Sequence, residues 1–218
     1  MKRCYRDCLL AVGVFAVALA TNARATLIES WENTDDGWMT TTENPTYSIA
    51  GFDPVIGVTD QSYSLILSGT AAPGYGQMLR SPFSAAFTND MANAQSVSVD
   101  VLAGSPFGYQ QWSLVTNGGS LGYHSVDNFN FTQSPVLGQE STLTWNISAA
   151  DSAAYAADAA SNTPIQLIFQ VGGGGGGTMY LDNLRFTPVP EPASGALILL
   201  GACGLALLGR QRITASGR

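Results

Sequence analysis

Few residues in this 218-residue chain carry groups that react or ligate, and their spacing decides what chemistry is open to it. Gly118-Gly119-Ser120-Leu121-Gly122 fits the G-x-S-x-G pattern of a nucleophile elbow. That device needs a strand before the serine, a helix after it, and an acid and then a histidine later in the chain. Tyr123 onward reads as strand or loop, and the only histidine, His124, lies too close to be the distal base. The stretch reads as a glycine-rich turn, with His124 on the surface or on an edge strand. One histidine also excludes metal sites built on several. Cys4 and Cys8 lie near the N-terminus and Cys203 near the C-terminus, so the middle of the chain offers no thiol chemistry, Cys-ligated zinc or disulfide. Glycoside hydrolysis needs only two carboxylates. Thr26 to Pro192 hold fifteen Asp and Glu, but no clustering on one strand singles out a pair, and Asp35-Asp36 sits on a turn where side chains diverge. The expectation is a protein that is not an enzyme.

Binding is the better lead. Trp38, Tyr75, Phe107, Tyr109, Trp112 and Tyr123 lie near Gly- and Pro-rich stretches. Aromatic rings on loop tips with amides nearby suit sugar rings, so Trp38, Tyr75, Tyr109, Trp112 and Tyr123 are the expected ligand-binding residues. Only Arg80 and Arg185 oppose the fifteen acids of Thr26–Pro192, giving that segment a net charge of −13. Phosphate binding needs clustered Lys and Arg, so nucleic acid is excluded as a partner. Gly172–Gly177 is a run of six glycines. A phosphate loop needs a following helix and usually a Lys; no Lys follows Lys2, so the run is expected to be a floppy hairpin connection.

The elements that must position these residues are short and alternating. Val97, Val99 and Val101 alternate with Ser and Asp, as do Leu143, Trp145 and Ile147 with Thr and Asn. Ile165, Leu167, Phe169 and Val171 repeat the pattern, and Tyr180, Leu184 and Phe186 follow it in the last segment. Tyr63–Leu67 and Tyr109–Val115 are further candidates, and only Ala149–Ala160 suggests a helix. Period two marks strands with one buried face. Eight to eleven such strands predict an all-β, two-sheet antiparallel sandwich of the jelly-roll kind. By this alternation Asp182 shares the core face with Tyr180, Leu184 and Phe186, where a carboxylate is costly unless paired or bound to a metal.

Both ends read as addresses. Lys2, Arg3 and Arg6 precede an apolar run from Leu9 to Ala20, and Ala23-Arg24-Ala25 offers the small residues a signal peptidase reads. Residues 1–25 are therefore expected to be a signal peptide removed after Ala25 by the secretion machinery. Ala193 to Gly209 is 17 residues without a charge, long enough for a transmembrane helix at about the lower limit. Arg210 and Arg212 follow and keep that end cytoplasmic, so the body lies outside the inner membrane. Val189-Pro190-Glu191-Pro192 stands just before the span, and its prolines hold the segment extended.

The ordered set of Val-Pro-Glu-Pro, a short apolar span and a terminal Arg cluster resembles the PEP-CTERM sorting signal. That resemblance implies a membrane-embedded exosortase as partner, recognising Pro190-Glu191-Pro192 and processing the tail, in a bacterium that makes an exopolysaccharide. A second resemblance lies at the two ends of the body. Trp31-Glu32 followed by Asp36-Gly37-Trp38, with Tyr180-Leu181-Asp182-Asn183-Leu184 near the close, is similar to jelly-roll carbohydrate-binding modules. It implies neighbouring first and last strands with a structural calcium between them, held by Glu32 and Asp182.

The parts expected are thus a signal peptide (1–25), a β-sandwich (26–187) and a sorting tail (188–218) whose helix covers about 193–209. The function expected is a non-enzymatic surface or extracellular-matrix protein of a Gram-negative-type bacterium, anchored by its tail and binding polysaccharide. The alternatives are a structural matrix protein without a ligand and a secreted hydrolase on the same scaffold.

Overall fold

In the computed structural model the described residues are 26–41, 47–60, 62–69, 73–103, 110–127, 134–174 and 177–189. They belong to one compact unit, Arg24–Val189. The elements among them are β1 (Thr26–Glu29), β2 (Met39–Thr40), β3 (Tyr47–Asp53), β4 (Ser64–Gly69), β5 (Pro73–Arg80), α1 (Ala85–Asn93), β6 (Ala94–Ala103), β7 (Gln110–Gly118), β8 (His124–Ser125), β9 (Glu140–Asn146), α2 (Ala149–Ala160), β10 (Ile165–Gly174) and β11 (Gly177–Pro188). One sheet, A, has the order β3-β4-β11-β6-β9, and β1 also pairs with β11; the other, B, runs β2-β5-β10-β7-β8. Every recorded strand pair is antiparallel. The expected all-β sandwich is the fold. β1 and β4 share one edge of β11, with β4 on Gly177–Leu181 and β1 on Leu184–Phe186, so the first and last strands are neighbours.

The two sheets meet over an aromatic core. Phe169 on β10 is its hub: Trp38 stacks on it at 5.9 Å, Trp145 lies at 5.7 Å and Trp112 at 6.3 Å. Trp31 then meets Trp38 edge-on at 5.5 Å. Such pairs add to the burial of large apolar area. Trp38 and Trp112 are only 2% and 0% exposed, so the expectation that they face a ligand is wrong. Their strand and corner positions point into the core, where aromatic bulk fills the gap between sheets. Tyr47 instead lies flat on Gly69, its cross-strand partner, where any Cβ would fall 2.4 Å from the ring.

Several other expectations are corrected. The middle strands are not wet on one side, because β10 is buried on both faces from Ile165 to Gly172 and β6 nearly so. Three glycines of the run, Gly172–Gly174, lie in the β10 ladder opposite Tyr75, Gly74 and Pro73, and Gly177 opens β11. They are sheet, not a floppy connection. Ala149–Ala160 is helical as expected, with Ser148 Oγ accepting the Asp151 amide at 3.1 Å. Helix α1 was not expected. Its Ser84 cap accepts the Ala86 amide at 3.1 Å and its buried Phe87, Thr88 and Met91 follow helical spacing.

Among the described residues no helix is long and apolar enough to cross a membrane. The expected signal peptide 1–25, the span 193–209, Pro190, Glu191, Pro192, Arg210 and Arg212 lie outside those residues. Val189, the first residue of the motif, is half exposed, and its N–H donates to the Asn93 carbonyl at the end of α1, 2.8 Å away.

Candidate functional site

The outward face of sheet A carries a buried polar knot. Met179 and Leu181 point into the core, and Tyr180 and Asp182 point away from it. A bulge follows Asp182, where Asn183 takes a φ of 54° and the register slips before Arg185. The slip resets the alternation, so Leu184 and Phe186 again face the core. Asp182 is thus not a core-face residue, yet it is 0% exposed, because the loop between β3 and β4 lies over it. Its Oδ2 accepts the amides of Thr59 at 2.6 Å and Asp60 at 2.7 Å, and its Oδ1 accepts the Asn183 amide at 2.7 Å. Burial raises this carboxyl's pKa, and those bonds pull the other way. Gly57 lets the loop approach: with φ at 71°, any Cβ there would fall 2.4 Å from that of Tyr180.

Asp100 on β6 completes the knot. It accepts two bonds from Arg185, at 2.8 and 3.1 Å, and one each from Thr59 Oγ1, Thr142 Oγ1 and Asn183 Nδ2. Burial alone would raise this carboxyl; the Arg185 bonds, then those of Thr142 and Thr59, outweigh it and hold the pKa below the usual value.

Glu32 meets the same loop, accepting the Ser62 amide on both oxygens at 3.1 Å. Glu32 and Asp182 therefore converge on the segment Thr59–Tyr63 from opposite ends of the chain. Carboxylates with loop carbonyls are the hard oxygen donors that calcium takes. The bonds these carboxylates accept, however, come from amide N–H groups and, on Asp182 at 3.3 Å, from the Thr59 hydroxyl, donors that an ion would displace. No group of three or more His, Cys, Asp or Glu set to hold a metal occurs among the described residues.

The outward face of sheet B is different. On β10, Gln166, Ile168 and Gln170 alternate with the core residues Leu167, Phe169 and Val171. Cross-strand register sets Arg80 and Val115 beside Ile168, and Gln77 and Ser113 beside Gln170. Val115 and Ile168 are buried but lie outside the core cluster, as this face requires. Ser113 Oγ holds Gln170 Oε1 at 3.2 Å, and the Tyr123 hydroxyl accepts from Gln170 Nε2 and, at 3.4 Å, from Gln77 Nε2. Tyr123 is 48% exposed. Tyr75 is the register partner of Gly172 one row further along; Tyr109 and Phe107 lie outside the described residues. The Gln77–Gln170 pair was missed by the sequence reading, although two glutamines at alternating positions were a legible polar signal.

The serine of the G-x-S-x-G stretch and the histidine pair with different acids. Ser120 donates its amide and hydroxyl to Asp158 of α2 at 2.8 and 2.9 Å, and His124, on the edge strand β8, lies 3.0 Å from Asp151. Gly118, Gly119 and Gly122 all take positive φ, which makes the stretch a turn as expected.

Solved structures share this fold. A carbohydrate-binding module of the β-sandwich superfamily matches with a TM-score of 0.49 at 14% identity, over 76% of this chain and 62% of its own. The xylan-binding module of Paenibacillus barcinonensis matches at 0.49 and 15%, over 79% and 99%. An exo-β-agarase matches at 0.50 and 12%, over 76% of this chain and 25% of its own. The chain therefore spans less than two thirds of the first structure and a quarter of the third. At these identities the similarity is one of fold. No protein-family model and no curated protein matches the sequence.

One acid pair has a measurable consequence. Glu29, at the end of β1, is half buried, accepts the Trp31 amide at 3.1 Å, and touches the carboxyl of Asp36. Burial first, then Asp36, raise its pKa from 4.5 to about 7. A folded-state pKa above the unfolded one means stability is full below pH 4.5 and declines as pH rises to about 7. The fully buried cost of about 3 kcal/mol is cut by solvent to about 1–2 kcal/mol. Denaturant melts of the wild type should lose that much between pH 5 and 7.5. Asp36→Asn should lose less, because only the burial part remains; equal losses would show that Asp36 plays no role.

Proposed function

We propose that the chain is an exported, non-enzymatic surface protein whose sandwich binds polysaccharide on the outward face of sheet B. The observation that carries this reading is Tyr123, a half-exposed ring whose hydroxyl rests on the carboxamides of Gln77 and Gln170. A ring edge beside fixed amide donors and acceptors matches a pyranose, which offers C–H faces and hydroxyls together. Hydrolysis would need two carboxylates flanking the sugar, and the strands of sheet B contain none. Glu32 and Asp182 are the residues that would hold calcium, and the ion there would brace the loop without touching the sugar.

Binding of the full chain in detergent to a panel of bacterial and plant polysaccharides tests this reading. Tyr123→Ala should weaken binding about tenfold, equivalent to about 1.4 kcal/mol, and Ser68→Ala, exposed on sheet A, should not. Chelator should lower the melting temperature if calcium braces the loop, and leave it unchanged if the amides alone do. Binding to no polysaccharide, or binding indifferent to Tyr123, overturns the assignment and leaves a structural matrix protein.

The address is proposed from the tail. Exosortase would read Val189-Pro190-Glu191-Pro192, with the membrane span behind it and Arg210 and Arg212 on the cytoplasmic side. Support comes from the sequence order of Val-Pro-Glu-Pro, apolar span and Arg cluster. Replacing Pro190, Glu191 and Pro192 together with Ala should leave the protein in the inner membrane of the producing cell. Unchanged surface delivery in fractionated cells contradicts exosortase sorting.

A further inference from the structure

We propose that the sheet B face selects an acidic polysaccharide, one carrying uronate or other carboxylate groups, through the guanidinium of Arg80. This rests on the polysaccharide-binding reading above and adds the chemical class of the ligand.

The distribution of charge points to it. Fifteen acids lie between Thr26 and Pro192, and the strands of sheet A carry Glu29, Asp53, Asp100, Glu140 and Asp182. The five strands of sheet B carry none. The strands of sheet B thus set no carboxylate of their own against an incoming one; from outside them, Asp151 meets His124 on the edge strand β8.

The same sheet holds a cation that makes no ion pair among the described residues. The described residues include two arginines. Arg185 is committed to Asp100 in an ion pair of 2.8 Å. Arg80 makes no ion pair among the described residues, and its Nε is buried without a hydrogen-bond partner. A guanidinium presents a planar fork of donors; Arg80 as a whole is partly exposed, and leaving its buried Nε unmatched is costly. A bound carboxylate would match them in the bidentate geometry that arginine favours.

The register then places Arg80 within one sugar of the proposed platform. Arg80 sits in the row of Ile168 and Val115, and Gln77 and Gln170 occupy the next row on the same face. Rows two residues apart lie about 7 Å from each other. A ring packed at Tyr123 thus brings a carboxylate on that residue or its neighbour within reach of the guanidinium. The flanking row on the other side is Gln166 and Asn117, again amides. The charge of −13 on Thr26–Pro192 opposes a polyanion at long range, but that field is screened beyond about 8 Å in physiological salt, and a desolvated contact pair is screened less.

The test pairs each acidic polymer with its own neutral form. Polygalacturonate and alginate, and the same samples after chemical reduction of their carboxyls to primary alcohols, are presented to the full chain at physiological salt with chelator present. The acidic forms should bind at least tenfold more tightly than the reduced ones. Arg80→Gln should lose about ten- to a hundredfold on the acidic forms and little on the reduced ones, and Arg80→Lys should recover part. Circular dichroism melts of both variants separate lost binding from lost folding. Equal binding of acidic and reduced forms, or an indifferent Arg80→Gln, overturns the acidic class and leaves polysaccharide binding intact. No binding to either form of either polymer, or to the wider panel, overturns both.

Discussion

A carboxylate with no solvent on it, on the outward side of the last strand, is the constraint around which this sandwich is arranged. Asp182 is 0% exposed, and a charge so placed is tolerated only with its oxygens filled. The amides of Thr59 and Asp60 fill one oxygen and that of Asn183 the other. Each bond has a structural consequence. The first two pin the β3–β4 loop flat across sheet A, with Gly57 against Tyr180. The third comes with the left-handed Asn183 and the bulge that turns Leu184 and Phe186 back into the core. Asp100 and Arg185 then tie the same bulge to β6, and Thr142 ties it to β9. A polar network this buried is worth having only when complete, and here every carboxylate oxygen has a donor.

The two faces of the molecule follow from that division of labour. Sheet A uses Asp100 and Asp182 internally, as acceptors for loop amides and for Arg185. The strands of sheet B carry no acid, and their outward residues include amides, Ser113, two aliphatics and Arg80. Between the sheets, Phe169 gathers Trp38, Trp112 and Trp145, so the largest side chains are spent on cohesion. Among the described aromatic residues Phe83 and Tyr123 keep about half of their surface exposed, at 55% and 48%, and Tyr123 is the one whose hydroxyl rests on the sheet B carboxamides.

The sequence carried the fold because alternation of Val, Leu and Phe with small polar residues has few solutions other than a sandwich. It also carried α2, where twelve residues rich in Ala follow a Ser cap. It misled where one residue changes the period. The bulge at Asn183 cannot be read from Asp-Asn-Leu alone, and a strict alternation through it assigned Asp182 to the wrong face. Trp38 and Trp112 stand near glycines in sequence, but proximity to a turn does not say which way a ring points, and the hub at Phe169 claims both. The glycine run reads as a loop by composition and is drawn into the ladder by the strands on either side of β10. Asp182 was nonetheless legible as a residue in need of partners, whereas Glu32 was singled out only by resemblance.

The claim that Asp182 clamps the loop is the one most directly open to measurement. Residue-resolved hydrogen exchange on the full chain in detergent, with chelator present, reads it at two positions. Thr59 has an exposed side chain on a surface loop, and without the clamp its amide would exchange at the rate of the exposed turn Asp35–Gly37. The clamp predicts that the Thr59 and Asp60 amides are protected as strongly as those of Leu65 and Leu181 in the sheet beneath. Exchange of both at turn-like rates would contradict it.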